Sequence, residues 1–299
     1  MNLWHDLQWV LPLRTPALTQ LAFGLSWLGY TTFIMFFIAI GYWTWNRAIF
    51  YRLLILVAFN ALLNAYAKDW IQDPRPPLAI RLDDLVGASY GLPSGHAQIG
   101  TVLWMWLAWE LRRTGAWVLC SLIAVGVMAS RLYLGVHDLE DVVGGALLGA
   151  TTLVLFEATR SHSTRLQSHP AWGTVLVAMI TGLALWSWPG DAPEYLPTLA
   201  TWLVVATWCQ HYEHPLGFTV PNTPWKRVAA GLLGAVCFLG EQKIVKWAGI
   251  HYTLDPVLWA ALKGVVNGGF VCLLVPWWIH ALNLTPPLPN HGGVLQNKP

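Results

Sequence analysis

The chain has 299 residues, of which 56% are hydrophobic and only 11% charged, with a formal net charge of +2 and 20 tryptophans. A water-soluble domain carries about 25% charged residues, so this composition belongs to a chain solvated largely by lipid. So small a net charge gives no reason to expect a nucleic-acid partner.

The first sixteen residues include His5, Asp6 and two prolines rather than a cationic leader before an apolar run, so no cleavable signal peptide is expected. Residues 3–13 are short and mixed and suit the membrane interface, and residues 1–27 are taken together as an N-terminal interfacial segment. A bilayer-spanning helix needs about 20 apolar residues. Spans are predicted near 29–46, 52–70, 95–111, 115–131, 139–158, 171–188, 196–211, 226–246 and 256–281. The expected fold is therefore all-α, a polytopic membrane helix bundle of about nine transmembrane helices. Pro74, Pro76 and Pro77 break the chain after the second span, and Pro189, Pro193 and Pro197 after the sixth. Residues 285–299, rich in Pro, Asn and Gly, are expected to form a disordered tail. Cys120, Cys209, Cys237 and Cys272 are scattered through apolar runs, which suits small buried hydrophobes rather than a disulfide framework or a zinc site.

Basic residues in short loops set the orientation. Arg47, Arg52, Arg112, Arg113, Arg160, Arg165, Lys226 and Arg227, with Lys298 in the tail, all fall on one side of a nine-span chain, expected to be the cytoplasm. The opposite loops carry Asp73, Asp83, Asp84, Asp138, Glu140, Asp191 and Glu194. Three polar segments stand at span ends on that second side: Lys68 to Pro76, Pro93-Ser94-Gly95-His96, and Ser130 to Asp141. Alternation of the spans lets them share one pocket.

These segments hold parts suited to a phosphoryl group. His137 and Asp141 are four residues apart, one helical turn, so the carboxylate can fix the imidazole tautomer and make its other nitrogen nucleophilic. Lys68 offers a point charge and Arg75 a planar fork for phosphate oxygens. Basic side chains at helix ends also snorkel, which explains Lys68 alone as well as a binding role does. Arg131, between Ser130 and His137, is less easily explained so. Ser94 and Gly95 open a helix whose first N–H groups can hold an anion. A plain serine cap would look the same, and His96 directly after it favours function. His5, His162, His169 and His291 are read as simply solvated. Gly144, Gly145 and Gly149 predict close packing of the helix that follows Asp141.

Lys-x6-Arg-Pro, then Pro-Ser-Gly-His, then Ser-Arg-x3-Gly-x-His-x3-Asp resembles the three-part signature of the type-2 phosphatidic acid phosphatases (PAP2). That superfamily also holds glucose-6-phosphatases, lipid phosphotransferases and vanadium haloperoxidases. The resemblance covers residues 28–160, implying a PAP2-like catalytic helix core with additional transmembrane helices over 161–284. It implies His137 as the nucleophile, Asp141 as its orienting group and His96 as the acid that protonates the leaving oxygen. Lys68, Arg75, Arg131, Ser94 and Gly95 would hold the phosphoryl oxygens, with no metal and no cofactor. A single clear span before the second helix and four helices after the core make the layout similar to glucose-6-phosphatase.

The substrate expected is a lipid phosphate or pyrophosphate, of phosphatidic acid, phosphatidylglycerophosphate or polyprenyl pyrophosphate type. It would be hydrolysed by an integral multi-pass protein, as in a bacterial inner membrane, with the site facing the periplasm or exterior. A sugar phosphatase, a lipid phosphotransferase and a lipid transporter with a relict site are the competing readings. Loop 77–92 supplies few groups for a sugar beyond Asp83, Asp84, Ser89 and Tyr90. In the C-terminal half Glu241, Lys243, Lys246 and Lys263 lie at membrane depth, and Glu241 is expected to pair with Lys263. His211, Glu213 and His214 lack a third ligand for a metal.

Overall fold

The computed structural model describes residues 4–87, 89–162, 170–190, 192–193, 195–216, 219–252 and 254–286; for 85, 161–162, 170–172 and 210–216 it describes the backbone only. Arg165, His169, Asp191, Glu194, His291, Lys298 and residues 287–299 of the expected tail lie outside the described residues, as do the side chains of His162, His211, Glu213 and His214.

The chain is all-α, with no strand among the described residues. In order, the helices are α1 (Pro16–Trp27), α2 (Thr31–Thr44), α3 (Arg47–Ile71), α4 (Gly95–Leu111), α5 (Thr114–Tyr133) and α6 (Leu139–His162). They continue with α7 (Pro170–Trp186), α8 (Leu196–Leu216), α9 (Pro224–His251), α10 (Pro256–Gly269), a π-helical stretch Phe270–Leu274, and α11 (Val275–Ala281). Each of the nine expected spans coincides with helix. Among the described residues, five helical stretches are long and apolar enough to cross a membrane, Pro256–Ala281 counting as one, or six if the bent pair α1–α2 is also one span. Helices α4 and α7 fall short by length: at 1.5 Å per residue, their 17 residues reach only about 26 Å, short of a ~30 Å hydrocarbon core.

No helix is expected before residue 29, yet Pro16–Trp27 form α1. Thr15 caps it, its hydroxyl accepting from the Leu18 N–H, with Pro16 pre-set at the first helical position. The helix lies along α5 and meets α2 at a bend of 51°. Its twelve residues are too short to give a span signal, so capping chemistry and packing decide it.

Helices α3 to α6 pack around α4, while α8 pairs with α10 and touches α3, and α9 lies against α2. One continuous apolar core joins the two halves, running from Ile34 and Trp43 through Trp106 to Trp202 and Val271. The Trp43 indole N–H donates to the Val271 carbonyl at 2.9 Å, satisfying a polar group that would otherwise be stranded in that core. Cys120, Cys209 and Cys272 are buried and all four cysteines are free thiols.

The predicted close packing of α6 is present. A Cβ on Gly145 would fall 2.5 Å from the Ser94 carbonyl oxygen, and one on Gly149 would fall 2.7 Å from that of Gln98. Only glycine lets α6 slide this close to the start of α4. The contact brings Asp141 within reach of Ser94, whose N–H donates to the Asp141 carbonyl at 2.9 Å.

The expected Glu241–Lys263 pair is not formed. Glu241, buried on α9, accepts from Gln242 at 2.7 Å and lies against the side-chain amide of Asn267 on α10. Lys243 and Lys246 are exposed on α9. Neutral amide partners satisfy the carboxyl without desolvating a second charge.

Candidate active site

The C-terminal end of α3, the start of α4 and the α5–α6 turn meet at one end of the bundle. Helix α3 stops at Gln72, which takes a left-handed conformation (φ 57°) and donates its N–H back to the Lys68 carbonyl. Pro74 prevents continuation and releases Arg75 into the loop. Gly135, at φ 69°, turns the chain out of α5 under the Ile80 carbonyl, 2.3 Å from where a Cβ would stand. That turn delivers His137 to the start of α6.

Asp138 and Asp141 cap α6 reciprocally. The Asp141 N–H donates to Asp138 Oδ1 at 3.0 Å, and the Asp138 N–H to Asp141 Oδ2 at 3.3 Å, the logic of a capping box. The same Asp141 Oδ2 is 2.8 Å from His137 Nδ1. On its other side, His137 Nε2 is 3.1 Å from Arg75 Nη1. A guanidinium can only donate, so Nε2 is the acceptor, and Nδ1 carries the proton that Asp141 receives. His137 is 2% exposed. Burial, then Arg75, Lys68 and Arg131, hold its pKa well below the usual histidine value, which keeps the imidazole neutral.

The cations are anchored by the loop over the site. Lys68 Nζ donates to the Tyr90 carbonyl and, at 2.8 Å, to that of Gly91. Arg75 donates through Nε to the Ser89 carbonyl (2.6 Å), through Nη2 to Ser89 Oγ (2.9 Å) and through Nη1 to the Val136 carbonyl (2.9 Å). Burial, and next the charge of Arg131, push the Arg75 pKa down to about 10, so it stays a cation at neutral pH.

Arg131, 1% exposed, is fixed differently. Its Nη1 donates to Ser26 Oγ and to Asp83 Oδ2 at 3.0 Å, and the Tyr30 hydroxyl donates to the same Asp83 oxygen. The Tyr30 ring also stands edge-on to His96, centroids 4.8 Å apart. Four buried polar atoms here have no hydrogen-bond partner: Ser94 Oγ, His96 Nε2, Arg131 Nε and Asp141 Oδ1. The Ser94 side chain does not cap α4, and its N–H is taken by the Asp141 carbonyl, whereas the first-turn amides of a helix have no partner within it.

All eight expected site residues thus fall at one end of the bundle. Several neighbours were not anticipated from sequence. Ser26, Tyr30 and Asp83 surround Arg131. Asn60, Asn64, Gln98 and Thr152 form a buried ladder beneath Ser94, in which Asn64 Nδ2 donates to the Pro93 carbonyl (3.0 Å) and to Gln98 Oε1 (2.9 Å). Asn60, Asn64 and Lys68 recur every four residues on α3, a polar stripe on an apolar helix that was a readable signal. His5 is not merely solvated: its Nδ1 is 2.8 Å from Asp138 and its Nε2 is 3.1 Å from Glu140, and the bond to Asp138 raises its pKa. Among the described residues, no three His, Cys, Asp or Glu side chains converge as metal ligands.

The chain is similar to several known proteins. Residues 48–165 match the family model described as PAP2 superfamily. Phosphatidylglycerophosphatase B of Bacillus subtilis is 30% identical over 171 residues, which are 52% of this chain and 80% of that protein. Sphingosine-1-phosphate phosphatase 2 of Mus musculus is 28% identical over 214 residues, 66% of this chain, and the chain spans only 60% of that relative's length. A crystal structure titled as the first transmembrane PAP2 type phosphatidylglycerolphosphate phosphatase, from Bacillus subtilis, matches 53% of this chain and 84% of its own at 26% identity and a TM-score of 0.46.

Proposed function

The chain belongs to the PAP2 superfamily, and from that premise we propose that it is a membrane phosphatase that releases phosphate from a lipid phosphate or pyrophosphate. The observation that carries the reading is the disposition of His137: Nδ1 on Asp141, Nε2 facing Arg75, and the ring neutral.

In the first step His137 Nε2 attacks phosphorus. The N–P bond forms as the P–O bond to the leaving group breaks, and His96 gives that oxygen a proton. The developing charge on the phosphoryl oxygens is met by Arg75, Lys68, Arg131 and the first-turn amides of α4. In the second step a water oxygen attacks phosphorus, its proton passes to His96, and the N–P bond breaks to free phosphate and His137. The three fixed cations supply the charge that metal ions supply in other phosphoryl-transfer sites.

The polar groups of the loop favour a lipid over a sugar. Asp83 is committed to Arg131 and Tyr30, and Ser89 to Arg75, so neither is left to receive a sugar hydroxyl. The names of the relatives, a phosphatidylglycerophosphatase and a sphingosine-1-phosphate phosphatase, point the same way. Arg47, Arg52, Arg112, Arg113, Lys226 and Arg227 cluster at helix ends opposite the site, which supports a site facing away from the cytoplasm.

The test is phosphate release by the purified protein across phosphatidate, phosphatidylglycerophosphate, sphingosine 1-phosphate, a polyprenyl pyrophosphate and glucose 6-phosphate. Turnover of the lipid substrates is expected, and a clear preference for glucose 6-phosphate would reverse the reading. Labelled phosphate should appear on the protein in rapid quench and be absent from His137→Ala.

A further inference from the structure

Helices α8 and α10, outside the matched segment 48–165, line an apolar cavity of about 260 Å³ together with α2 and α3. Its walls come from α2, α3, α8 and α10, with Ile99 of α4 at one side and Val271 at its base. The deep part of the wall is interior to the bundle, with Ile34, Ile38, Leu54, Ala58 and Val271 each at most 4% exposed, while Thr31 and Tyr195 on the lining are exposed.

One end of the cavity adjoins the phosphoryl site. Thr31, on its lining, follows Tyr30, whose ring stands against His96. Ile99 lies three residues beyond His96 on α4, on the same helix face. From Thr31 to Ala39, both on the lining, is eight residues of helix, a depth of about 12 Å into the bundle. Few polar side chains line it, and two of these are engaged elsewhere. Thr198 donates to the Ala260 carbonyl at 2.7 Å, and the Asn267 amide, turned with its NH2 inward, donates to Glu241.

A 150 Å³ apolar cavity holds the six carbons of benzene, so by proportion this one holds about ten carbons. We propose that the cavity is the tail subsite, taking about ten carbons of one hydrocarbon tail of the lipid phosphate. This rests on the phosphatase reading above. The C-terminal helices α8 and α10 then act as the part of the chain that selects substrate, since without them α2 and α3 would face lipid.

The test is kcat/KM for single-tailed alkyl phosphates of four to fourteen carbons, each kept monomeric. The wild type should gain about fourfold per methylene, the factor that ~0.8 kcal/mol per methylene gives, and level off near ten carbons. Ala58→Phe adds a six-carbon ring to the wall, and should move the plateau to about four carbons. Leu199→Ala, which enlarges the cavity, should move it to longer chains and serves if the first variant does not fold. A plateau unmoved in both variants overturns the proposal. Hydrolysis of no alkyl phosphate by the wild type would instead sink the phosphatase reading, and a second measurement then still bears on the cavity. An alkyl phosphate with a diazirine near its ninth carbon should label α8 and α10 in the wild type and lose that labelling in Ala58→Phe. Equal labelling by the corresponding phosphate-free alkanol would mean that bulk membrane lipid fills the cavity, and would also overturn the proposal.

Discussion

Asp83 Oδ2 lies 3.0 Å from Arg131 Nη1, with both side chains at most 3% exposed. A cation so fully removed from water is tolerable only with its counter-charge in place, and Asp83, 48 residues away in sequence, supplies it. The Tyr30 hydroxyl on the same oxygen ties this pair to the ring that packs against His96.

Asp83→Ala should therefore damage the site without touching substrate. Removing one partner of a buried pair costs about 3–5 kcal/mol, because the other charge is stranded. Thermal unfolding of Asp83→Ala, Arg131→Ala and the double variant should show strong non-additivity, the double being little worse than either single. Additive losses would mean that the pair is not the unit that matters.

The His137–Asp141 contact predicts a split between binding and rate. Asp141→Asn should leave KM near the wild-type value and lower kcat, since the amide cannot hold the imidazolium-like transition state as a carboxylate does. His137→Ala should abolish turnover. A His137→Ala protein that still releases phosphate at a wild-type rate would remove the nucleophile assignment.

The depressed pKa of His137 carries a pH signature with a definite sign. Below about pH 6.5 the unfolded chain protonates this histidine, while the buried, cation-flanked ring in the folded protein stays neutral. The unfolded state then binds more protons, so this residue makes stability fall as the pH drops below about 6.5. His137→Gln should flatten that part of the stability profile, read as Tm against pH. Because the folded ring stays neutral, kcat/KM should show no acid limb from this residue between pH 6.5 and neutrality.

Gly145→Ala should lower both stability and activity. Its new Cβ would meet the Ser94 backbone, which cannot swing aside as a flexible side chain can, at a cost of about 1–3 kcal/mol. Gly182→Ala on α7, where nothing lies within 4 Å of the added carbon, should be neutral or slightly stabilising. Equal effects of the two changes on Tm would contradict the close α4–α6 contact.

Phosphate release should persist in excess EDTA and be inhibited by orthovanadate. The cation set Lys68, Arg75 and Arg131 needs no added ion, and vanadate imitates five-coordinate phosphorus. Loss of activity in EDTA with recovery on adding magnesium would reject the metal-free scheme.

What the sequence determined by itself was local. Apolar runs set where helices form, Pro74 sets where α3 must stop, and the His137–Asp141 spacing sets a contact one turn long. Each depends on residues a few positions apart, so chain geometry alone brings them together. Gly145 and Gly149 also announced a tight contact, although not its partner. The tertiary structure decided everything that joins distant segments: Asp83 on Arg131, Asn64 on Gln98, His5 on Asp138, and Glu241 on Asn267 rather than Lys263. These pairings depend on which helix faces meet and at what height, and hydropathy cannot report that when nearly every face is apolar. In lipid, helix faces are chosen by small residues and by the need of each buried polar group for a partner. That choice becomes visible only once all the helices are packed.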